Sequence, residues 1–509
     1  MYEANATEAL VPPSIPNPLR LAIKLLHRSI RSIPNPFRLT ILWVGLALAR
    51  VGVIDAERAR RTTDLAWPRI VTGLARMSKS AVDVAMVGIA VGPAAIAGVG
   101  FASPFWGMAF ALGGGIAAGT IALVSQRFGA GAHEELGLAV RSSVVLVIAI
   151  TLPIAACFWL FSTELIALLT GNEEAIALGG SYLQIIALGV PLAGLNLIGS
   201  RVLVGSDDAW MELAIRASGA VANIVFNAVL IFGLGMGVVG AALGTVLANL
   251  LVTAAFAIGL TAGRLPGVGA FPVTIDPFGG YLDGETIRQL VEIGAPVVAT
   301  NLVWTVAEFP LLAIVDLFGQ DVVAAFVIAR RILGLMNTPG WGFSLASSSL
   351  VGQELGVGDE ATAESYGREI IRFAVAVYLL SAAFVALFAE PIVLAFLGDA
   401  TDPALPIAVS FVYVACVAVI FQGISGGAAG PLNASGDTRW PFYGRVLGYA
   451  VALPVAYLGA TTSLGLVGLY VAFLAEQMVP AAVNYYRFAT GKWMAISRAY
   501  RPAASMGDD

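Results

Sequence analysis

LVSQRFGAG, Leu123 to Gly131, returns 227 residues later as LVGQELGVG, Leu350 to Gly358, with five of nine residues identical. Three further landmarks recur in the same order: Pro68 and Pro296 at an offset of 228, Ser206 and Asp208 with Ser435 and Asp437 at 229, and Gly237-x-x-Gly240 with Gly465-x-x-Gly468 at 228. Ordered landmarks at a nearly constant offset mean a duplicated unit. Hydropathy says what each unit holds. Of 509 residues, 58% are apolar and 12% charged, against roughly 45–50% and 25% in soluble domains, and mean hydropathy is +0.85. Apolar runs bounded by Gly, Pro and charges fall at 67–90, 98–124, 143–162, 180–204, 213–233, 239–261, 290–316, 322–350, 370–389, 404–430, 443–460 and 466–487. A span needs about 20 apolar residues, so these twelve fill the chain and leave no room for a large soluble domain. The runs are continuous instead of alternating, and lipid offers the backbone no partners, so they are helices and not barrel strands. The expected fold is all-α and integral to the membrane, with twelve transmembrane helices in two six-helix lobes. An even number of spans per unit makes the repeats parallel.

Basic residues set the sides, because Lys and Arg collect in cytoplasmic connections. Arg127 and Arg141, Arg201 and Arg216, Arg264 and Arg288, Arg368 and Arg372, and Arg439 and Arg445 occupy every second connection, and Arg487, Lys492, Arg498 and Arg501 follow the last span. The intervening connections have no Lys or Arg. Both ends of the core are therefore expected in the cytoplasm of a multi-pass protein of the cell membrane. The expected divisions are a cytoplasmic or interfacial extension at 1–64, an N-lobe at 65–261, a cytoplasmic linker at 262–289, a C-lobe at 290–487 and a cytoplasmic tail at 488–509. The proline- and glycine-rich linker is expected to absorb movement of the lobes. In the extension, Leu19 to Ile33 carries Arg20, Lys24, Arg28 and Arg31 among apolar residues, as a basic interfacial helix does. Leu39 to Ile54 is apolar but short and holds Arg50; a second interfacial helix and an additional span are both open to it. No secretory signal pattern begins the chain.

Several classes drop out. No basic patch supports nucleic-acid binding. Cys157 and Cys416 lie in apolar stretches as packing residues, and His27 and His133 lack second ligands at metal spacing. Arg outnumbers Lys 25 to 3 while acids outnumber bases 33 to 28, as in a salt-adapted chain; a GC-rich genome gives the same arginine bias. Gly235-x-Gly237-x-x-Gly240 fits a dinucleotide fingerprint but has no preceding strand or following acid, so it reads as a turn. With no nucleophile–base pair and no metal cluster, an enzyme is not expected, and no cofactor is expected beyond a coupling ion.

Charges at membrane depth are costly and therefore candidates. Asp83 lies 15 residues past Pro68, about 22 Å along a helix. A carboxylate there can take a proton or ligate sodium, or be merely neutralised by Lys79 four residues earlier. Arg76, Lys79 and Asp83 form one stripe, at i, i+3 and i+7. Asn223 and Asn227 sit one turn apart on the fifth span, where interhelical amide bonding is the alternative to ion binding. In the second half Leu311 replaces the aspartate and Ala452 and Ala456 the asparagines, so the cation site is single. Glu308 on the seventh span and Arg331 on the eighth are expected to pair and line a cavity, with Gln422 as further polar lining; Glu476 and Gln477 have faces that spacing alone does not fix. Asp316 marks an outer helix end.

LAWPRIVTGLARMSKSAVDVAMVG, the two LV-x-Q loops, the SDD and SGDT turns, and NIVFNAVLIFGLGMGVVGAALGTV together resemble the multidrug and toxic compound extrusion (MATE) family over residues 65–493. The resemblance implies antiport of organic substrates against H⁺ or Na⁺ by rocking of two lobes. It implies cation coupling at Asp83, completed by Asn223 and Asn227. Part of the family has Asp where this chain has Asn227, which leaves one carboxylate and keeps sodium coordination open. The expected substrates are small amphipathic organic cations, carried by a monomer embedded in the lipid bilayer. The alternative is a lipid-linked precursor flippase, for which only Arg76, Lys79, Arg330 and Arg331 supply cavity charge.

Overall fold

A computed structural model describes residues 36–501 except 267; the basic segment Leu19 to Ile33, with His27, lies outside the described residues. A first helix, α1 (Pro36–Arg50), is followed by α2 (Ala56–Val91), α3 (Pro93–Gly129), α4 (His133–Leu160), short α5 (Ser162–Ala167), α6 (Glu173–Ala187), α7 (Gly189–Gly205), α8 (Ala209–Asn227) and α9 (Gly237–Ala262). A two-stranded hairpin, β1 (Arg264–Leu265) and β2 (Gly269–Ala270), leads to α10 (Gly284–Asp316), α11 (Gln320–Met336), α12 (Thr338–Val357), α13 (Glu360–Leu387) and α14 (Ala389–Leu397). The chain continues through α15 (Ala404–Ser435), α16 (Arg439–Thr461), α17 (Leu466–Ala489) and α18 (Lys492–Ser497).

Eight helices, α3, α4, α8, α9, α10, α13, α15 and α17, are long and apolar enough to cross a membrane, and the pairs α6–α7 and α11–α12 do so as spans bent by 48° and 40°. Helices α2 and α16 complete the twelve. Their hydropathy is lowered by Arg69, Arg76, Lys79 and Asp83 along α2 and by Arg439 and Arg445 in the first turns of α16. Helix α1 has 15 residues, about 22 Å at 1.5 Å per residue, short of the roughly 30 Å hydrocarbon layer.

The duplication is reproduced in the backbone. Left-handed residues recur in pairs at the repeat offset: Gly92 with Gly319, Gly131 with Gly358, Gly237 with Gly465, and Gly263 with Gly491. A fifth pair joins Asp207 (φ 69°) to Gly436 (φ 85°). That turn demands positive φ, which glycine adopts without a Cβ penalty and aspartate tolerates better than most residues. Three helices also carry side-chain N-caps: Asp208, Asp359 and Asn172 each accept a backbone N–H three residues on, from Met211, Thr362 and Ala175.

The chain divides into two compact units. Among the described residues, the first comprises 36–39, 71–124 and 131–291. Ala102, Phe158, Ile166, Leu183 and Ile186 form its core, with Phe105 edge-on to Phe158 at 5.7 Å. Much of the expected linker is docked on this unit. Phe271, Val273 and Ile275 are buried, and Arg141 donates from Nε to the Gly280 carbonyl at 2.8 Å and from Nη1 to the Asp276 carbonyl at 2.9 Å. Ser142 reaches the Tyr281 carbonyl. An arginine with two carbonyl partners pins this loop, and Asp283 beyond it accepts the Thr286 N–H at 2.8 Å as α10 begins.

The second unit comprises residues 40–70, 125–130 and 292–501. Phe326 and Phe411 pack edge-on in its core, with Phe473 against both. Helix α1 is held to α13: Arg372 donates to the Val53 carbonyl at 3.0 Å, and a methyl at Gly45 would stand 2.8 Å from the Phe373 ring. The two copies of the LV-x-Q motif also meet within this unit, reciprocally. A Cβ built on Gly129 would lie 2.1 Å from the Gln353 carbonyl oxygen, and one on Gly356 would lie 1.8 Å from the Gln126 carbonyl oxygen. Between them, Gly352 faces its own repeat counterpart, Ser125, whose Oγ would be 2.0 Å from an added Cβ.

Candidate functional site

Helix α2 carries Lys79 and Asp83 one turn apart, and their side chains pair at 2.8 Å between Nζ and Oδ2. The other carboxylate oxygen, Oδ1, accepts from Asn227 Nδ2 on α8 at 2.8 Å. Asn223, one turn before Asn227, turns its own Nδ2 toward Thr245 Oγ1 on α9 at 3.1 Å, while Asn227 Nδ2 stands 3.5 Å from Asn223 Oδ1. The structure thus brings Asp83, Asn223 and Asn227 together within the first unit, with Lys79 as the countercharge. Both asparagines are fully buried, and Asp83 is 15% exposed at its side chain.

Local backbone supports this arrangement. Immediately after Asn227 the helix widens into a π-helical turn, Ala228–Gly233, a local form concentrated at functional positions. Across from it, Gly244 on α9 gives the asparagine its space: a Cβ there would stand 2.0 Å from Asn227 Oδ1. That oxygen is buried and accepts no hydrogen bond. An orphan carbonyl beside a carboxylate is the donor type a hard cation takes, so Asp83 and the Asn227 and Asn223 amides are the side chains fitted to hold one. Thr245 belongs to the cluster but was not among the expected residues; it lies 22 positions from Asn223 on the next helix, beyond any one-helix spacing argument.

Arg76 stacks over Phe110 at 5.2 Å from the ring centroid. Beside that ring, Trp106, Val190, Ala193, Gly194 and Leu197 line a small apolar pocket of the first unit.

In the second unit the expected Glu308 and Arg331 pair does not form. Both residues are exposed, Glu308 on α10 and Arg331 on α11. It is the preceding residue, Arg330, that turns inward, pairing with Glu476 on α17 at 2.8 Å. Consecutive helical residues point about 100° apart, so choosing the wrong one of two arginines reverses burial. Gln422 is half-buried on α15, and its Oε1 is buried with no hydrogen-bond partner. Leu311, Ala452 and Ala456, which replace the first half's site residues, are all buried.

Comparison with known proteins matches this description twice over. The MatE family model matches residues 68–229 and again 296–458, opening each time at the repeated proline. A curated relative, "Probable multidrug resistance protein NorM" of Bradyrhizobium diazoefficiens, is 27% identical over 85% of this chain and 93% of its own length. "Multidrug resistance protein PmpM" of Pseudomonas aeruginosa is 28% identical over 82% of this chain and 87% of its own. Among solved structures, a multidrug resistance MATE family transporter in an outward-facing conformation superposes with a TM-score of 0.76 at 23% identity, covering 86% of this chain and 96% of that one. A transporter from Pyrococcus furiosus described as having a binding pocket of reverse polarity gives 0.74 at 24% identity over 87% and 97%. A double match to one family model over most of the core, on a twelve-span duplicated fold, establishes that the chain belongs to the MATE family of transporters.

Proposed function

We propose that this chain is a secondary active multidrug exporter of the cell membrane, with both ends of its core cytoplasmic, exchanging small amphipathic organic cations for H⁺ or Na⁺. The observation that carries the coupling is the Asp83 carboxylate, with Lys79 on one oxygen and Asn227 on the other. A cation arriving at Oδ1 meets a carboxylate whose charge is already balanced by an ammonium. It must displace Lys79 or exploit a movement that draws Lys79 away. Either course makes occupancy sensitive to the arrangement of α2 and α8, which is what coupling ion binding to a conformational change requires. A proton would sit on the carboxylate; sodium would draw in the orphan Asn227 oxygen as a further ligand.

The flippase alternative has less support. It calls for unbalanced positive charge to hold a pyrophosphate, yet of the four cations that could serve, Lys79 and Arg330 are each paired with a carboxylate, which leaves Arg76 and Arg331. The names of the relatives, which speak of multidrug resistance, favour the exporter reading.

The test is uptake of a fluorescent organic cation into inside-out vesicles under separate proton and sodium gradients. Asp83→Asn keeps the shape of the side chain and removes its charge. It should leave expression and folding intact while abolishing gradient-driven uptake. Undiminished uptake by the variant under either gradient would refute the assignment.

A further inference from the structure

The second half has no counterpart of Asp83, yet it buries a carboxylate of its own. Glu476 on α17 is 1% exposed. Its Oε1 receives three donors: Arg330 Nη1 at 2.8 Å, Tyr449 OH on α16 at 3.1 Å and Gln477 Nε2 at 3.0 Å. Its Oε2 receives none, although it is buried. Arg330 shows the same one-sidedness. Its Nη1 end holds Glu476, its face lies over the rings of Phe326 and Phe473 at 5.2 and 5.5 Å, and its buried Nε and Nη2 have no partner.

A pair built only to hold helices together would not look like this. Arginine and carboxylate normally meet through two parallel bonds, and each buried polar atom left without a bond costs about 1–3 kcal/mol. Here one bond joins the ions, and the side-on fork of the guanidinium is idle. A second carboxylate, the exposed Glu308 on α10, makes no ion pair with Arg330 but adds to the field acting on it. It lies two residues before Pro310, where the helix has lost a backbone hydrogen bond and can bend. Arg330 is therefore bonded to one acid, Glu476, with part of its guanidinium uncommitted.

We propose that Glu476 is a second proton-binding carboxylate of the transport cycle, with Arg330 passing to Glu308 when the proton arrives. The proton comes from the aqueous phase and bonds to Oε2. Glu476 becomes neutral, its single bond to Arg330 weakens, and the Nε and Nη2 fork closes on the Glu308 carboxylate. Across the three residues the net charge rises from −1 to 0 by the one proton bound. The surrounding helices also carry Asp321 and Arg331 on α11, Tyr413 and Cys416 on α15, Arg439, Tyr443, Arg445 and Tyr457 on α16, Tyr470, Tyr485, Tyr486 and Arg487 on α17, and Lys492 on α18; among the described residues only Arg330, Tyr449 and Gln477 bond to Glu476. This inference rests on ion-coupled transport and adds a carboxylate in the half that lacks Asp83.

Infrared difference spectra of the purified full-length protein, recorded across pH, test it through the carbonyl stretch of protonated carboxyl groups. The wild type should show a titrating component that disappears in Glu476→Gln and persists in Asp83→Asn. In Glu308→Gln that component should appear at a lower pH, since Arg330 then has no second acid to accept it and stays on Glu476. Should Glu476→Gln fail to fold, Tyr449→Phe removes one donor from Oε1 and should bring the component in at a higher pH. A component untouched by Glu476→Gln, or unmoved by both Glu308→Gln and Tyr449→Phe, overturns the proposal. Because the spectra need no transport, they stand apart from the vesicle test. An unaffected Asp83→Asn transporter would sink the coupling site in the first unit without altering the Glu476 band.

Discussion

Gly244→Ala probes the candidate cation site without touching any residue in it. The new Cβ would lie 2.0 Å from Asn227 Oδ1 and 3.1 Å from the Asn227 backbone nitrogen, where carbon and oxygen ordinarily stay about 3.3 Å apart. The amide must retreat by roughly 1 Å or more, and turning it away gives up the 2.8 Å bond from Nδ2 to Asp83. A hydrogen bond to a charged group contributes about 1.5–3 kcal/mol net, so a lower Tm in detergent is expected from a protein that still folds. The functional loss should be larger than the stability loss suggests. A displacement near 1 Å at a positioned group costs on the order of a hundredfold in an enzyme, and at least a tenfold drop in gradient-driven efflux is expected here. Reconstituted vesicles loaded with a fluorescent cation give the rate, and thermal unfolding gives the stability. The decisive control is the same substitution in an Asn227→Ala background, where no amide remains to be displaced and the added methyl should cost little more. Equal losses in both backgrounds would mean that Gly244 matters for packing alone. Full efflux by Gly244→Ala would mean that the Asn227 amide is not part of the coupling apparatus.

Lys79→Met removes the countercharge and keeps the length of the side chain. Half-maximal transport should then need a lower proton or sodium concentration, because the cation no longer competes with an ammonium; an unchanged dependence would place Lys79 outside the cycle. Arg141→Ala frees the loop that this residue holds through the Asp276 and Gly280 carbonyls, so limited proteolysis should cut within 276–281 much faster than in the wild type. Equal cutting rates would show that the loop is held by Phe271, Val273 and Ile275 instead. Gly356→Ala forces a methyl against the Gln126 carbonyl at 1.8 Å, an overpacking expected to cost about 1–3 kcal/mol and visible as a lower Tm; a Tm within error of the wild type would show that the motif contact yields freely.

The architecture was legible because duplication and hydropathy are properties of the chain itself. Two nine-residue motifs and a pair of prolines marked the repeat, and the left-handed residues fall at the same offsets. The cluster around Asp83 was legible in part, since Lys79, Asp83, Asn223 and Asn227 each sit at one-turn spacings that put neighbours on one helix face. Thr245 and the space left by Gly244 were not, because they belong to a different helix and depend on how α8 and α9 pack. The same limit explains Arg330 and Arg331. Spacing places both on α11, but which of them faces α17 follows from the bundle, and only the bundle reveals that Glu476 is the partner. The hold of Arg141 on the linker was equally hidden, being made to backbone carbonyls that no side-chain pattern announces.

The Ser125 and Gly352 contact shows what a duplicated chain can do that a symmetric dimer cannot. In a dimer of identical six-helix chains, reciprocal contacts like Gly129 with Gln353 and Gly356 with Gln126 come as a matched set, and a position on the two-fold axis meets its own copy. Such a position must carry the same residue twice. Two serines would collide where Ser125 Oγ already stands 2.0 Å from the place of a Gly352 Cβ, and two glycines would leave the space unfilled. A single chain is free of that constraint, and this one fits the Ser125 hydroxyl into the gap at Gly352. The contact is thus reciprocal at its flanks and unlike at its centre, a combination open to a single chain and closed to a homodimer.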